Sequence, residues 1–310
     1  MGLLSGAARL ARAVDQGFDT DQVWYHGSTH DIRGMKPNLL NQESHFGKGY
    51  YFTSSTDDAS KNYAGMGPDL TNRIQQRAEQ IASERDLDYD DPSVRAQATA
   101  ELKGQSEGVI YPVLTRTKKT FDISTDGDTF LRYERPELDP EDYLDEADGD
   151  MDLARDLALE DSFNFEPEGD LVDFLNSLQR DPRIDETGRQ NLIQAILEEA
   201  QDDQGVSGRR LDQIIRGTEF YAEDEITGQL VNNEVYREAL ERAGFDSVVH
   251  DGDIFLNVSF NKNIEPGTKH KIVFAPENIR SINAEFDPQK TQASNLLASP
   301  APAAIGAGLL

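Results

Sequence analysis

Phe46-Gly47-Lys48-Gly49-Tyr50-Tyr51-Phe52-Thr53 is the stretch on which the fold turns, and Asp58-Ala59-Ser60-Lys61-Asn62-Tyr63-Ala64 follows it closely. Glycines on both sides of Lys48 allow a tight entry into an exposed aromatic strand. In that strand Tyr51 faces opposite to Tyr50 and Phe52, because side chains alternate. One helical turn on, Ser60 and Tyr63 share a face at i, i+3. The GxxxxGK[ST] frame is absent, so the Gly-Lys-Gly triplet is not a phosphate-binding P-loop. Upstream, Trp24-Tyr25-His26-Gly27-Ser28 reads as a strand end running into a loop. Far downstream, Lys269-His270-Lys271-Ile272-Val273-Phe274-Ala275-Pro276-Glu277-Asn278-Ile279 reads as another strand and its turn.

These residue types suit a flat heteroaromatic ring that carries an amide. Tyrosine rings stack such a ring, and hydroxyl or main-chain groups fix its carboxamide. A histidine followed by glycine offers a ring N–H or acceptor to a hydroxyl, and the glycine lets the backbone approach a ligand. Each residue alone has an ordinary reading: a lone strand histidine is mostly structural and a lone tyrosine mostly half-core. Their order and spacing carry the argument.

Outward from these segments, residues 23–26, 49–53, 109–115, 247–250, 254–260 and 271–274 are short β-branched or aromatic runs bounded by Gly, Asp, Asn or Pro, which predicts strands. A helical stretch is expected over 57–102, and a short helix over 234–243 with Gly244 as its C-terminal cap. Strands at both ends of the chain must then pair across a helical middle. That predicts one α+β domain with an insertion, not two tandem domains.

The middle is strongly acidic. Residues 136–203 hold 23 Asp or Glu against four Arg and no Lys, within a chain of formal charge −28. Helical apolar spacing persists there: Met151, Leu153, Leu157 and Leu159, then Leu171, Phe174, Leu175 and Leu178, then Leu192, Ile193, Ile196 and Leu197. Asp170 and Gly188 mark boundaries before the second and third runs. The expected organisation is an N-terminal amphipathic helix over 1–20, with an apolar face at Leu3, Leu4, Ala7, Leu10, Ala11 and Val14. A discontinuous domain over 21–124 and 241–290 follows, with an acidic helical insertion over 125–240. An Ala/Pro-rich tail over 291–310 closes the chain. The charge disfavours free nucleic acid and anionic membranes as partners, and no apolar stretch is long enough to cross a bilayer. With no cysteine, disulfides and thiolate metal sites are excluded, and the five histidines show no metal-ligand spacing.

Taken together, YHGS, FGKGYYFT with ASKNYA, and KIVFAPENI resemble the diphtheria-toxin-like and poly-ADP-ribose-polymerase-like branch of ADP-ribosyltransferases, which is named for a His-Tyr-Glu triad on three strands. The likeness is to phage and prophage-borne members, which often open with a run like RAxxxGFDTDxxxYHG and close with one like VFDPxxIKS followed by FDP. Here Arg12 to Asp21 precedes Tyr25-His26-Gly27, and Val273 to Ser281 precedes Phe286-Asp287-Pro288. The resemblance spans about residues 8–65, 109–123 and 236–290. It implies a split pair of mostly antiparallel sheets around an NAD cleft, with NAD as the ADP-ribose donor. His26 would bond a ribose hydroxyl, and Gly27, with Ser28 beside it, would meet the nicotinamide amide. Tyr51 and Tyr63 would sandwich the ring, and Ser60 would bond its carboxamide. The acceptor would be an unidentified macromolecule, a host protein or nucleic acid, met in the host cytoplasm or from a virion or larger phage polyprotein.

The third strand departs from the pattern, because His270 stands where the triad has its acid. A neutral imidazole brings no negative charge, and losing such a charge-stabilising group costs on the order of 10²–10³ in rate. Glu265, in a Pro-Gly loop five residues upstream, is the alternative acid. Glu277 reads as a turn residue, and Glu223-Asp224-Glu225 as a chance E-x-E in an acidic chain. Two readings follow: a mono-ADP-ribosyltransferase, or a catalytically silent virion or interaction module. On the sequence alone, His270→Glu is expected to raise NAD cleavage.

Overall fold

In this computed structural model the structure describes residues 6–28, 32, 34–35, 40, 44–64, 68–85, 87–88, 91–103, 108–134, 138–162, 167–224, 228–252, 264–293 and 296. The strand expected at 254–260, Glu225, and most of the tail from 297 onward lie outside them.

The elements run α1 (Gly6–Asp15), β1 (Trp24–Ser28), β2 (Tyr50–Thr53), α2 (Thr56–Asp58), a π-helical turn (Ala59–Ala64), α3 (Pro68–Arg85), α4 (Pro92–Lys103), β3 (Val109–Thr115) and β4 (Thr120–Asp122). Next come β5 (Phe130–Arg132), α5 (Met151–Ser162), α6 (Asp170–Arg180), α7 (Glu186–Asp203), β6 (Gly205–Ser207), α8 (Gly208–Gly217) and α9 (Asn232–Arg242). β7 (Ser247–Asp251), β8 (Lys269–Val273) and β9 (Ile279–Ser281) complete the order. The fold is α+β. It divides into two compact units: residues 1–40, 49–118 and 247–310, and residues 41–48 and 119–246.

In the first unit six strands lie side by side in the order β7-β8-β2-β1-β3-β9, each neighbouring pair antiparallel. The C-terminal strands thus enter the sheet on both flanks of β1 and β2. Alternation explains which residues form the core. Trp24, Tyr50, Phe52, Val113, Val273 and Ile279 share one face and pack with Met35 and Leu296. Tyr51, Thr53, Ile272 and His270 point to the other face.

The two runs that flank the signature segments pack on each other. Ala13 and Phe18 join Leu114, Ala284 and Phe286 in one buried cluster, with Phe18 and Phe286 edge to face at 5.3 Å. Gln16 Nε2 donates to the Phe286 carbonyl at 2.5 Å. The apolar face expected for the N-terminal helix is corrected here: Ala13 is buried while Leu10 and Val14 are half-exposed, because the face that meets the sheet is set by contact with Phe18 and Leu114.

The second unit is mostly helical. In α6 the predicted stripe of Leu171, Phe174, Leu175 and Leu178 is buried. In α5 Met151 and Leu153 are exposed, Leu157 is half-buried, and Ala154 and Ala158 are buried; the Leu159 side chain lies outside the described residues. Gly188 does not precede α7 but sits inside its first turn. The cap is Asp185, whose carboxylate accepts from Gly188 N at 2.7 Å. A Cβ on Gly188 would meet Phe220 Cβ at 2.7 Å, which accounts for the glycine. Buried Tyr236 centres the core, with Phe46, Phe174 and Phe121 rings 5.5, 6.2 and 6.3 Å away.

Candidate functional site

The strands that carry the three sequence segments are consecutive neighbours, β8-β2-β1. β1 pairs with β3 over five residues and β2 with β8 over four. β1 and β2 meet at one pair only, Tyr25 opposite Thr53. The sheet therefore parts between β1 and β2.

Where the ladder stops, a side chain takes over. His26 Nδ1 lies 2.9 Å from the Tyr51 carbonyl. A carbonyl can only accept, so Nδ1 carries the proton, and Nε2 is the acceptor in the neutral ring. The His26 ring packs on Phe52 at 5.6 Å, on the core side of the strands. His26 and Tyr51 are thus joined through Tyr51's main chain, while Tyr51's half-buried side chain points to the opposite face with Gly27 and His270.

Ser60 and Tyr63 lie on the π-helical turn, within the stretch 57–102 that the sequence reads as one helix. In the structure that stretch is α2, the π turn, α3 and α4. The wider i→i+5 turn spreads residues that an α-helix would align: Ser60 is exposed and Tyr63 half-buried. Two glycines seat the turn against the sheet. A Cβ on Gly27 would lie 2.4 Å from the Ala59 carbonyl and 2.6 Å from Tyr63 Cβ, and one on Gly108 would lie 1.8 Å from the Ala64 carbonyl. This close approach brings Tyr63 edge-on to His270, with ring centroids 6.2 Å apart.

His270 is buried, and its partner is a residue the sequence reading missed. Its Nε2 lies 2.8 Å from Asp58 Oδ2. Asp58 Oδ1 accepts from Asn62 Nδ2 at 2.5 Å, and the Asp58 N–H donates to the Ser55 hydroxyl that caps α2. Burial works against the charge on Asp58. Hydrogen bonds from His270, Thr53 and Asn62 nevertheless hold its carboxyl below the usual carboxylate range. A carboxyl depressed on folding stabilises the protein above its unfolded value, near about 3.9, and that stability is lost as the pH falls through the folded value. Melting temperatures of the wild type and Asp58→Asn are therefore expected to differ most at neutral pH and to converge below about pH 4. A constant difference down to pH 2 would contradict the ionised carboxylate.

The other acids stand elsewhere. Exposed Glu265 lies in the turn before β8 and lines an open depression of about 360 Å³ with Tyr25, Ser54, Ser55, Thr56 and Thr268. The Glu277 carbonyl accepts from Arg116 in a turn after β8. Glu223 bridges Leu230 within the second unit. Ser28 ends β1 opposite Val109. Another hollow, about 490 Å³, lies in the second unit among Glu198, Glu199, Arg210 and Gln213 and contains none of the candidate residues.

Lys48 and Gly47 belong to the second unit, where the Lys48 N–H donates to Glu234 Oε2 at 2.7 Å. Gly47 has φ +58, and a Cβ there would meet the Glu234 main chain at 2.8 Å, so the triplet is a turn held by α9. Among the described residues no group of His, Asp and Glu is placed to hold a metal ion. No family model, curated protein or solved structure matches the chain.

Proposed function

We propose that the first unit binds NAD and that the protein transfers a single ADP-ribose from it to a macromolecular acceptor, a host protein or nucleic acid. The observation that carries this reading is the parting of β1 and β2 after one residue pair, with His26 bridging to Tyr51 at the fork. A fork of this kind gives a flat ring an edge to enter, and the half-buried Tyr51 and Tyr63 are the aromatic surfaces beside it. His26 Nε2 and the Gly27 main chain are the polar groups that would orient a ribose hydroxyl and a carboxamide. NAD supplies the ADP-ribosyl group as nicotinamide departs.

A second reading, a silent NAD-binding or interaction module, is favoured by the residue at the acid position being a buried histidine engaged with Asp58. Incubation with labelled NAD separates the two. Label transferred to the chain itself or to lysate proteins or nucleic acids is expected from a transferase, and thermal stabilisation by NAD without transfer from a silent module. His26→Ala is expected to weaken NAD binding under either reading, by roughly tenfold for one lost hydrogen bond and a loosened fork. Unchanged affinity in that variant would remove His26 from the site. No helix among the described residues is long and apolar enough to cross a membrane.

A further inference from the structure

We propose that Asp58 and His270 act as one carboxylate–imidazole pair, in which His270 Nδ1 takes the proton of the attacking acceptor group and Asp58 orients the ring. The inference rests on the NAD-site reading above.

The geometry makes the assignment specific. Asp58 is a charged carboxylate and can only accept, so the hydrogen on the 2.8 Å contact belongs to His270 Nε2. That tautomer leaves the lone pair on Nδ1. The carboxylate is itself fixed by Asn62 on its other oxygen, and the residue's main-chain N–H is held by the Ser55 cap. The imidazole is held between the Tyr63 edge at 6.2 Å and the His250 ring at 5.1 Å. His250 faces His270 directly across β7 and β8, and Lys269 on the same strand is paired with Asp251 at 3.3 Å. The negative charge that the triad places on the third strand is thus supplied from α2, one residue before the turn that carries Ser60 and Tyr63. A strand with this neighbour has no need of its own acid.

In the transfer step the bond from the anomeric carbon to the nicotinamide nitrogen breaks, and its electron pair stays with nicotinamide. The acceptor's lone pair forms the new bond to that carbon. The acceptor's proton passes to His270 Nδ1, and Asp58 stays ionised beside the resulting imidazolium. His270 is the catalytic residue and Asp58 the positioning one, as in other carboxylate-oriented histidine bases.

The pair inverts the expectation for His270→Glu. With Asp58 2.8 Å from the ring, a glutamate would bury two carboxylates against each other. The test uses the full chain and three variants: Asp58→Asn, His270→Glu, and both together. It measures nicotinamide release, NAD affinity by calorimetry, and the His270 tautomer by nitrogen NMR without NAD. Asp58→Asn is expected to lose about 10²- to 10⁴-fold in turnover with NAD affinity within about threefold of wild type. His270→Glu alone is expected to melt lower and to turn over no faster than wild type. The double variant, with one carboxylate moved to β8, is expected to recover at least about tenfold over Asp58→Asn. Wild-type NMR is expected to show Nε2 protonated.

Wild-type turnover in Asp58→Asn, a gain in His270→Glu alone, or an Nδ1–H tautomer would each overturn the pair. Where Asp58→Asn does not fold, the wild-type tautomer and the turnover of His270→Glu still decide it. NAD bound but never cleaved by the wild type also overturns it while leaving the NAD site standing. No NAD binding at all overturns the site reading and the proposal with it.

Discussion

Gly27→Ala is expected to lower the melting temperature and to abolish NAD binding together. The added Cβ would lie 2.4 Å from the Ala59 carbonyl, 2.6 Å from Tyr63 Cβ and 2.8 Å from the Ala64 nitrogen. Two of these are main-chain atoms, so no rotamer change relieves the contact, and the π turn must lift from β1. Overpacking of this kind costs about 1–3 kcal/mol and more where backbone must move. Lifting the turn carries Tyr63 away from His270 and loosens Asn62 on Asp58. A thermal melt with and without NAD checks it: a lower melt with no NAD-induced rise is expected. An alanine variant that melts and binds like wild type would show that the turn is not seated on Gly27. Gly27 thus has a packing reason of its own, beside any contact its main chain makes to a ligand.

Arg280→Ala is expected to be the most damaging single change to stability. Arg280 is wholly inaccessible, yet its hydrogen bonds go to carbonyls: Ile279 at 2.7 Å, Lys290 at 3.3 Å and Thr291 at 3.2 Å. Arg116 approaches the same Thr291 carbonyl, and both guanidiniums lie over the Phe18 ring, at 5.8 and 5.2 Å. Burial, together with the charge on Arg116, pushes the Arg280 guanidinium down to about 10, which leaves it charged at neutral pH. Alanine removes three hydrogen bonds, leaving the Lys290 carbonyl with the Ala293 N–H and the Thr291 carbonyl with Arg116, and opens a cavity beside Phe18. Those losses amount to about 3–5 kcal/mol, a fall in melting temperature on the order of 10 °C. Lysine keeps a charge but not the planar fork, so Arg280→Lys is expected to recover less than half of the loss. A melt of Arg280→Ala within 2–3 °C of wild type would contradict this, by roughly 1 kcal/mol or less.

Much of the sheet was legible because its signals are local. Tyr50 and Phe52 buried and Tyr51 turned away follow from alternation alone, and the glycines and Asn or Pro punctuation bounded β1, β2, β3 and β8 closely. The site was less legible because its decisive contacts are not periodic. Asp58 is one acid among 58 Asp and Glu, and its partner His270 is far away in the chain, so no spacing rule joins them. A π turn leaves no i, i+3 signature, and Ser60 and Tyr63 look aligned until the turn widens. The single pair between β1 and β2 could not be read from two strand-like runs, since it depends on His26 replacing a ladder bond. In α1 and α5 the expected apolar faces are exposed at Leu10, Val14, Met151 and Leu153, and Ala13, Ala154 and Ala158 are buried instead, because tertiary contact and not periodicity chooses the face.

The central claim is an NAD site at the fork of β1 and β2. Calorimetric titration of NAD into the full chain, alongside Tyr63→Ala, tests it most directly. Saturable binding to one site in the wild type is predicted, weakened about tenfold or more when the Tyr63 ring is removed. No binding at millimolar NAD, or equal binding with and without that ring, would contradict it.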